Sequence, residues 1–185
     1  FTSVVIPEGM EVIPSKAFDT CVSITNVTFS DSVKNIGSYA FYNCESLQDV
    51  SFPDSLTTIE YAAFSGCSNF ATVTLPVSVT TLGSHAFSSC GQLNAVTLSP
   101  NWSMVEGSQS PFTDNPQLTS IVIPEGMEAI PAKAFDTCVS LTNVTFPDSV
   151  KNIDAYAFYN CSSLPYVYIS PDVTVIGSSA FGGCD

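Results

Sequence analysis

The chain has 185 residues, 45% of them hydrophobic, enough for one domain with a real core. Four Lys and no Arg face seventeen Asp plus Glu, a formal net charge of −13. That excess repels polyanions, so nucleic acid and anionic membrane surfaces are excluded as expected partners, and no apolar run is long enough to cross a bilayer.

The first predicted element is a short strand at Ser3-Val4-Val5, where inward apolar residues alternate with outward ones. The same pattern returns around Val27, Val50, Val73, Val96, Val144 and Val167. Pro or Ser closes each strand, as at Pro7, Ser30, Pro53 and Pro76, because proline cannot donate to a ladder. A turn follows, then an apolar pair such as Val33 and Ile36, Leu56 and Ile59, or Val79 and Leu82. Gly37, Gly83 or Gly177 comes next and is expected to supply a positive φ where the chain turns back.

Each unit closes on Ala-Phe-x-x-Cys, first as Ala17-Phe18-Asp19-Thr20-Cys21, predicted as one turn of helix. The Phe positions are 18, 41, 64, 87, 112, 135, 158 and 181, separated by 23, 23, 23, 25, 23, 23 and 23 residues. A fixed period in this range means a solenoid in which each repeat buries its apolar face on the next. The fifth unit breaks the rule. Trp102, the only tryptophan, takes a Val or Leu slot, Asn115-Pro116 displaces the Cys, and two extra residues before Phe112 are expected to bulge within 106–111.

All seven Cys share one slot, with no Cys-x-x-Cys, so buried free thiols are expected rather than a disulfide framework or a metal site. Glu8, Asp31, Asp54, Glu125 and Asp148 also share a slot, but the further oxygen ligands that Ca²⁺ needs have no fixed positions. The single histidine, His85, stands in a variable slot and belongs to no nucleophile, base and orienter set. The expectation is therefore no enzyme, no cofactor and no metal. Recognition falls to the outward strand positions. The candidate contacts are Asn26, Asp49, Thr72, Asn143 and the adjacent phenols Tyr166 and Tyr168, with Trp102 and its bulge as a second candidate.

Leu47-Gln48-Asp49-Val50-Ser51-Phe52-Pro53, then Leu56, Ile59, Ala63-Phe64 and Cys67, is one full copy of the unit. It resembles the BspA-like leucine-rich repeats, and the resemblance covers the whole chain. It implies a curved leucine-rich-repeat solenoid of secreted and surface proteins, tied to adhesion or protein binding, with no catalysis in the repeats.

The resulting expectation is an α/β repeat protein: one right-handed leucine-rich-repeat solenoid, residues 1–185, of eight coils with a parallel sheet on the concave face. It is read as a fragment of a longer surface protein. The expected partners are a host or matrix protein or a glycan, met outside the cell or at its surface. Uncapped apolar ends favour end-to-end self-association. The alternatives are a structural spacer for another domain and a carbohydrate-binding module.

Overall fold

A computed structural model describes the chain except for Asp49, Glu106 and Asp185. Among the described residues there are fourteen short strands. They are β1 (Ser3–Val5), β2 (Val12–Ile13), β3 (Asn26–Thr28), β4 (Asn35–Ile36), β5 (Thr58–Ile59), β6 (Thr72–Thr74), β7 (Thr81–Leu82), β8 (Ala95–Thr97), β9 (Ser103–Met104), β10 (Ser120–Val122), β11 (Ala129–Ile130), β12 (Asn143–Thr145), β13 (Asn152–Ile153) and β14 (Val175–Ile176). Each pairs only with its counterpart one coil away, always in parallel, as Val4 with Val27 or Ile59 with Leu82. The three-residue strands form one row, split into β1-β3 and β6-β8-β10-β12, and the two-residue strands a second, split into β2-β4-β5-β7-β9 and β11-β13-β14.

The third side carries the Ala-Phe-x-x-Cys segments, and here the expected helix is absent. Lys16 and Thr20, Tyr39 and Asn43, Lys133 and Thr137, and Tyr156 and Asn160 all adopt φ between 52° and 61°. Two left-handed residues four apart cannot lie in a right-handed helix. The segment is instead a run of tight turns whose amides alternate in use. Ala17, Asp19 and Cys21 donate to carbonyls three residues back, at 3.2–3.3 Å, while Lys16, Phe18 and Thr20 donate to Ser38, Ala40 and Tyr42 of the next coil at 2.7–2.9 Å. A helix would consume every amide internally; this geometry spends half on stacking. The expected α/β solenoid of eight coils is thus a parallel-strand β-solenoid of about seven turns, with no helix among the described residues.

The expected role of the glycines also changes. Gly37, Gly83 and Gly177 are not among the residues of positive φ. At Gly83 a Cβ would lie 2.4 Å from the Tyr61 amide nitrogen of the preceding coil, so close approach of the two backbones, and not turn geometry, selects glycine there.

Stacked phenylalanines fill the interior. Phe18, Phe41, Phe64, Phe87, Phe112, Phe135, Phe158 and Phe181 make one continuous column, neighbouring ring centroids 5.1–6.0 Å apart with planes within 27° of parallel. Its widest steps, 5.9 and 6.0 Å, flank Phe112 in the irregular coil.

A second set of phenylalanines decides where the first strand row holds. The residue following the strand is Ile6, Leu75, Leu98 or Ile123 at the four junctions that pair. It is Phe29, Phe52 or Phe146 at the three that do not. Phe29, Phe52 and Phe146 each stand edge-on against the column ring of their own coil, Phe41, Phe64 and Phe158, at 5.6–5.9 Å. Phe29 and Phe52 stack on each other with centroids 6.1 Å apart. Ladder strands need about 4.8 Å. The rings therefore hold the coils apart at this corner, and Val50 and Ser51 belong to no strand.

One carboxylate ties the second row together. Glu60 accepts from the Asn35 side-chain amide at 2.9 Å and from the Ser38 backbone and hydroxyl at 3.0 and 2.9 Å. The Asn35 hydrogen bond, then those from Ser38, hold its pKa below the usual value against the opposing effect of burial.

Replacing Phe29 and Phe52 together by Leu should draw Val50 and Ser51 into the ladder and slow hydrogen exchange at the Phe52 amide by about tenfold or more; unchanged exchange would reject the spacing argument. Because the folded pKa of Glu60 is depressed, its stabilisation is present above the unfolded carboxylate pKa and lost as pH falls through the lower folded value. Glu60→Gln should cost about 1 kcal/mol at pH 7 in urea unfolding, and the difference from the unaltered chain should shrink below about pH 4.

Candidate binding face

The two failed junctions around Val50 and Ser51 open the first strand row into grooves. One, of about 600 Å³, lies between β3 and the coil after it and is lined by Asn26, Thr28, Asp31, Ser51 and Asp54, among others. The other, of about 480 Å³, is bounded by Ser51, Phe52, Asp54, Thr74 and Pro76. Their walls are hydroxyls, an amide and two carboxylates over a phenylalanine floor. Nothing cationic lines either groove among the described residues, so the site suits a ligand that brings positive charge and hydrogen-bond donors.

Asn26, Thr72 and Asn143 are exposed at the leading position of β3, β6 and β12, in one register slot. Asp49, expected between the first two, lies outside the described residues. The structure brings Asn26 to a groove, while Asn143 sits several coils away. Tyr166 and Tyr168 are 79% and 70% exposed beside β12, in a coil that the Phe146 wedge keeps out of the ladder. Thr28, Asp31, Ser51 and Asp54 line the grooves although the sequence does not mark them as contacts. The signal that could have found them is the pair Phe29 and Phe52, whose bulk is legible but whose effect on coil spacing is not.

Trp102 is placed differently from the expectation. It is only 3% exposed and turns its ring edge-on to Phe112 and Phe135, so it is a core residue. The bulge is also displaced. Leu82 pairs with Met104, not Val105, and Val105 is 63% exposed. The irregular coil is one residue short between Trp102 and the inward slot, and the extra residues begin at Val105. The register recovers at Pro111, whose carbonyl accepts from Phe87 at 2.8 Å where other coils use Ala. Glu106, within the expected bulge, lies outside the described residues.

The Cys slot is structural. All seven cysteines are free and five are buried. Each of six thiols donates to the Phe carbonyl of the preceding coil, Cys44 to Phe18 and Cys67 to Phe41 at 3.2 Å, Cys90 to Phe64 at 3.3 Å. Burial pushes the Cys44, Cys90 and Cys161 thiols up to about 12 and disfavours the thiolate that redox or metal chemistry requires. Among the described residues no three His, Cys, Asp or Glu side chains gather as a metal-ligand group. Asn115 reproduces the thiol's bond: its amide donates to the Phe87 carbonyl at 2.9 Å, to Phe112 at 2.9 Å, and its oxygen accepts from the Cys90 amide at 2.8 Å. His85 is half-buried, its Nδ1 3.2 Å from the Thr113 hydroxyl, at the end of an aromatic edge that runs through Tyr61 and Tyr39 to the ammonium of Lys16.

A family model described as a BspA type leucine rich repeat region matches residues 1–109 and 107–185, in six copies. No curated protein sequence matches significantly. Among solved structures, the chain is similar to the T. pallidum leucine rich repeat protein, 30% identical over 98% of this chain and 76% of that one, with a TM-score of 0.64. It is 32% identical to a leucine rich cell surface protein from Faecalibacterium prausnitzii, covering all of this chain and 45% of that one, with a TM-score of 0.58. A leucine-rich repeat protein from Bacteroides ovatus shares the fold at 20% identity, with a TM-score of 0.65 over 99% of this chain and 73% of its own.

Asn115→Ala should cost about 2 kcal/mol in denaturant unfolding, because it strands the Phe87 carbonyl and the Cys90 amide inside the core. Asn115→Cys should cost less, since it restores the bond that the other coils use. Equal losses in the two variants would show that the slot is filled for volume alone.

Proposed function

Because the chain belongs to the family of BspA-type leucine-rich repeat proteins, we propose that it is a non-enzymatic binding protein, secreted or held at the cell surface, whose first strand row receives a basic surface of another protein. In this reading the solenoid is right-handed, as parallel crossovers are, and the first strand row lies on its concave side. The observation that carries the proposal is the pair of grooves opened by Phe29 and Phe52, with Asn26, Thr28, Asp31, Ser51 and Asp54 at their walls. A net charge of −13 steers a cationic partner to that face. The likeness to the F. prausnitzii cell surface protein supports the location, and adhesion to a host or matrix protein is the corresponding role. No helix among the described residues is long and apolar enough to cross a membrane.

Carbohydrate binding is the second reading, favoured by the exposure of Tyr166 and Tyr168. Biolayer interferometry against a panel of basic matrix proteins separates the two. Asp31→Asn with Asp54→Asn should weaken protein binding about tenfold, and the loss should track rising salt. Affinity that ignores both the substitutions and the salt would refute the proposal. A glycan-array signal that disappears in Tyr166→Ala with Tyr168→Ala would establish the second reading instead.

A further inference from the structure

The second strand row is interrupted between β9 and β11. Elsewhere in the row one carbonyl receives two consecutive amides of the next coil: Glu11 from Lys34 and Asn35, Lys34 from Thr57 and Thr58, Glu128 from Lys151 and Asn152. The amide just past the strand adds a further bond, Gly37 to Ile13, Glu60 to Ile36, Asp154 to Ile130. In the interrupted coil that position is Pro131, which has no amide to give. Proline is tolerated only where a ladder ends. Among the described residues, the Ala129 amide and the Trp102 carbonyl consequently make no bond across the junction.

The interruption leaves a groove of about 360 Å³, within the size range of ligand sites. Its walls are largely apolar, with Met104, Val105, Pro131 and Ala132, and its polar members include Lys133 and Asp154. Trp102 forms part of the wall, and its indole N–H is buried with no hydrogen-bond partner. Lys34 and Lys151 are ion-paired, whereas Lys133 has no carboxylate within 4.0 Å among the described residues.

We propose that this groove captures the C-terminus of an extended peptide that ends in an apolar residue. The unspent groups around it include two donors, the Ala129 amide and the Lys133 ammonium. A terminal carboxylate accepts several donors at once and pairs with the Lys133 ammonium, as in other sites built from free backbone amides. The terminal side chain packs on Met104, Val105 and Pro131. Asp154 complements a basic residue next to the end of the chain. Only an end fits. A strand running between β9 and β11 would hold them about 9.6 Å apart, twice the ladder spacing, whereas the Phe112 and Phe135 rings of these coils are 6.0 Å apart. The groove belongs to the second strand row and goes beyond the reading given to the first.

The sole tryptophan makes the test direct. The chain is titrated with acetyl-Lys-Leu bearing a free carboxylate and, separately, with its carboxamide, following Trp102 emission excited at 295 nm and the backbone amide shifts of Ser103 and Ala129. The acid should give a saturable change and bind at least tenfold more tightly than the carboxamide. Lys133→Gln should bring the acid to the level of the carboxamide. Pro131→Gly, which installs the residue found at Gly37, Gly83 and Gly177, should close the ladder and weaken the acid at least tenfold. Asp31→Asn with Asp54→Asn should leave this titration unchanged, so failure here and failure of the matrix-protein reading are separate results. Equal binding of acid and carboxamide, or no saturable change in either readout, overturns the proposal; this comparison needs only the unaltered chain and decides the matter even if Pro131→Gly fails to fold.

Discussion

The spacing between coils is the constraint on which the rest depends, and two interactions compete to set it. A hydrogen-bonded ladder settles at about 4.8 Å, while stacked rings settle at 5 Å or more. Between regular coils of the main column the compromise stands near 5.1–5.4 Å, and the turn segments follow it with amide bonds of 2.7–3.1 Å to the next coil. Where a further phenylalanine enters at the end of a strand, the rings prevail and the ladder parts. The openings on the first strand row are therefore the visible outcome of one side-chain choice per coil, Phe in place of Leu or Ile. The opening on the second row has a different cause, the missing amide of Pro131.

Much of this was legible in the sequence. The 23-residue period identified the solenoid, and the slots of Val27, Phe29, Ile36 and Phe41 identified the inward face of every coil. The Ala-Phe-x-x-Cys segment reads as a helical turn because Phe18 and Cys21 are three apart, a spacing shared by helices and by successive tight turns. What separates the two is the sign of φ at Lys16 and Thr20, and neither residue type announces a left-handed backbone. Gly83 misled for the opposite reason. A glycine advertises positive φ, yet here it answers to the backbone of the preceding coil, a contact twenty-two residues away in sequence.

The candidate site was legible only in part. Outward positions follow from alternation, so Asn26, Thr72 and Asn143 were found. The grooves between coils depend on distances that no single repeat contains. Trp102 illustrates the limit from another side: its size and rarity suggest a surface contact, but it fills the inward slot of Val33, Leu56 and Val79 and stands against Phe112 and Phe135. Asn115 shows that a departure from the consensus can preserve its physics, since an amide replaces a thiol and keeps the bond to the preceding coil.

The turn segments all donate toward the following coil, Lys16, Phe18 and Thr20 to Ser38, Ala40 and Tyr42, and every strand pair in both rows is parallel. The array therefore has a head and a tail with unlike combs of donors and acceptors. A further coil laid on in the same register joins only tail to head, a heterologous contact that leaves a fresh copy of the same surface exposed. Growth by that route has no built-in stopping point. A chain of this design that is to remain discrete in solution has to blunt at least one of its two ends.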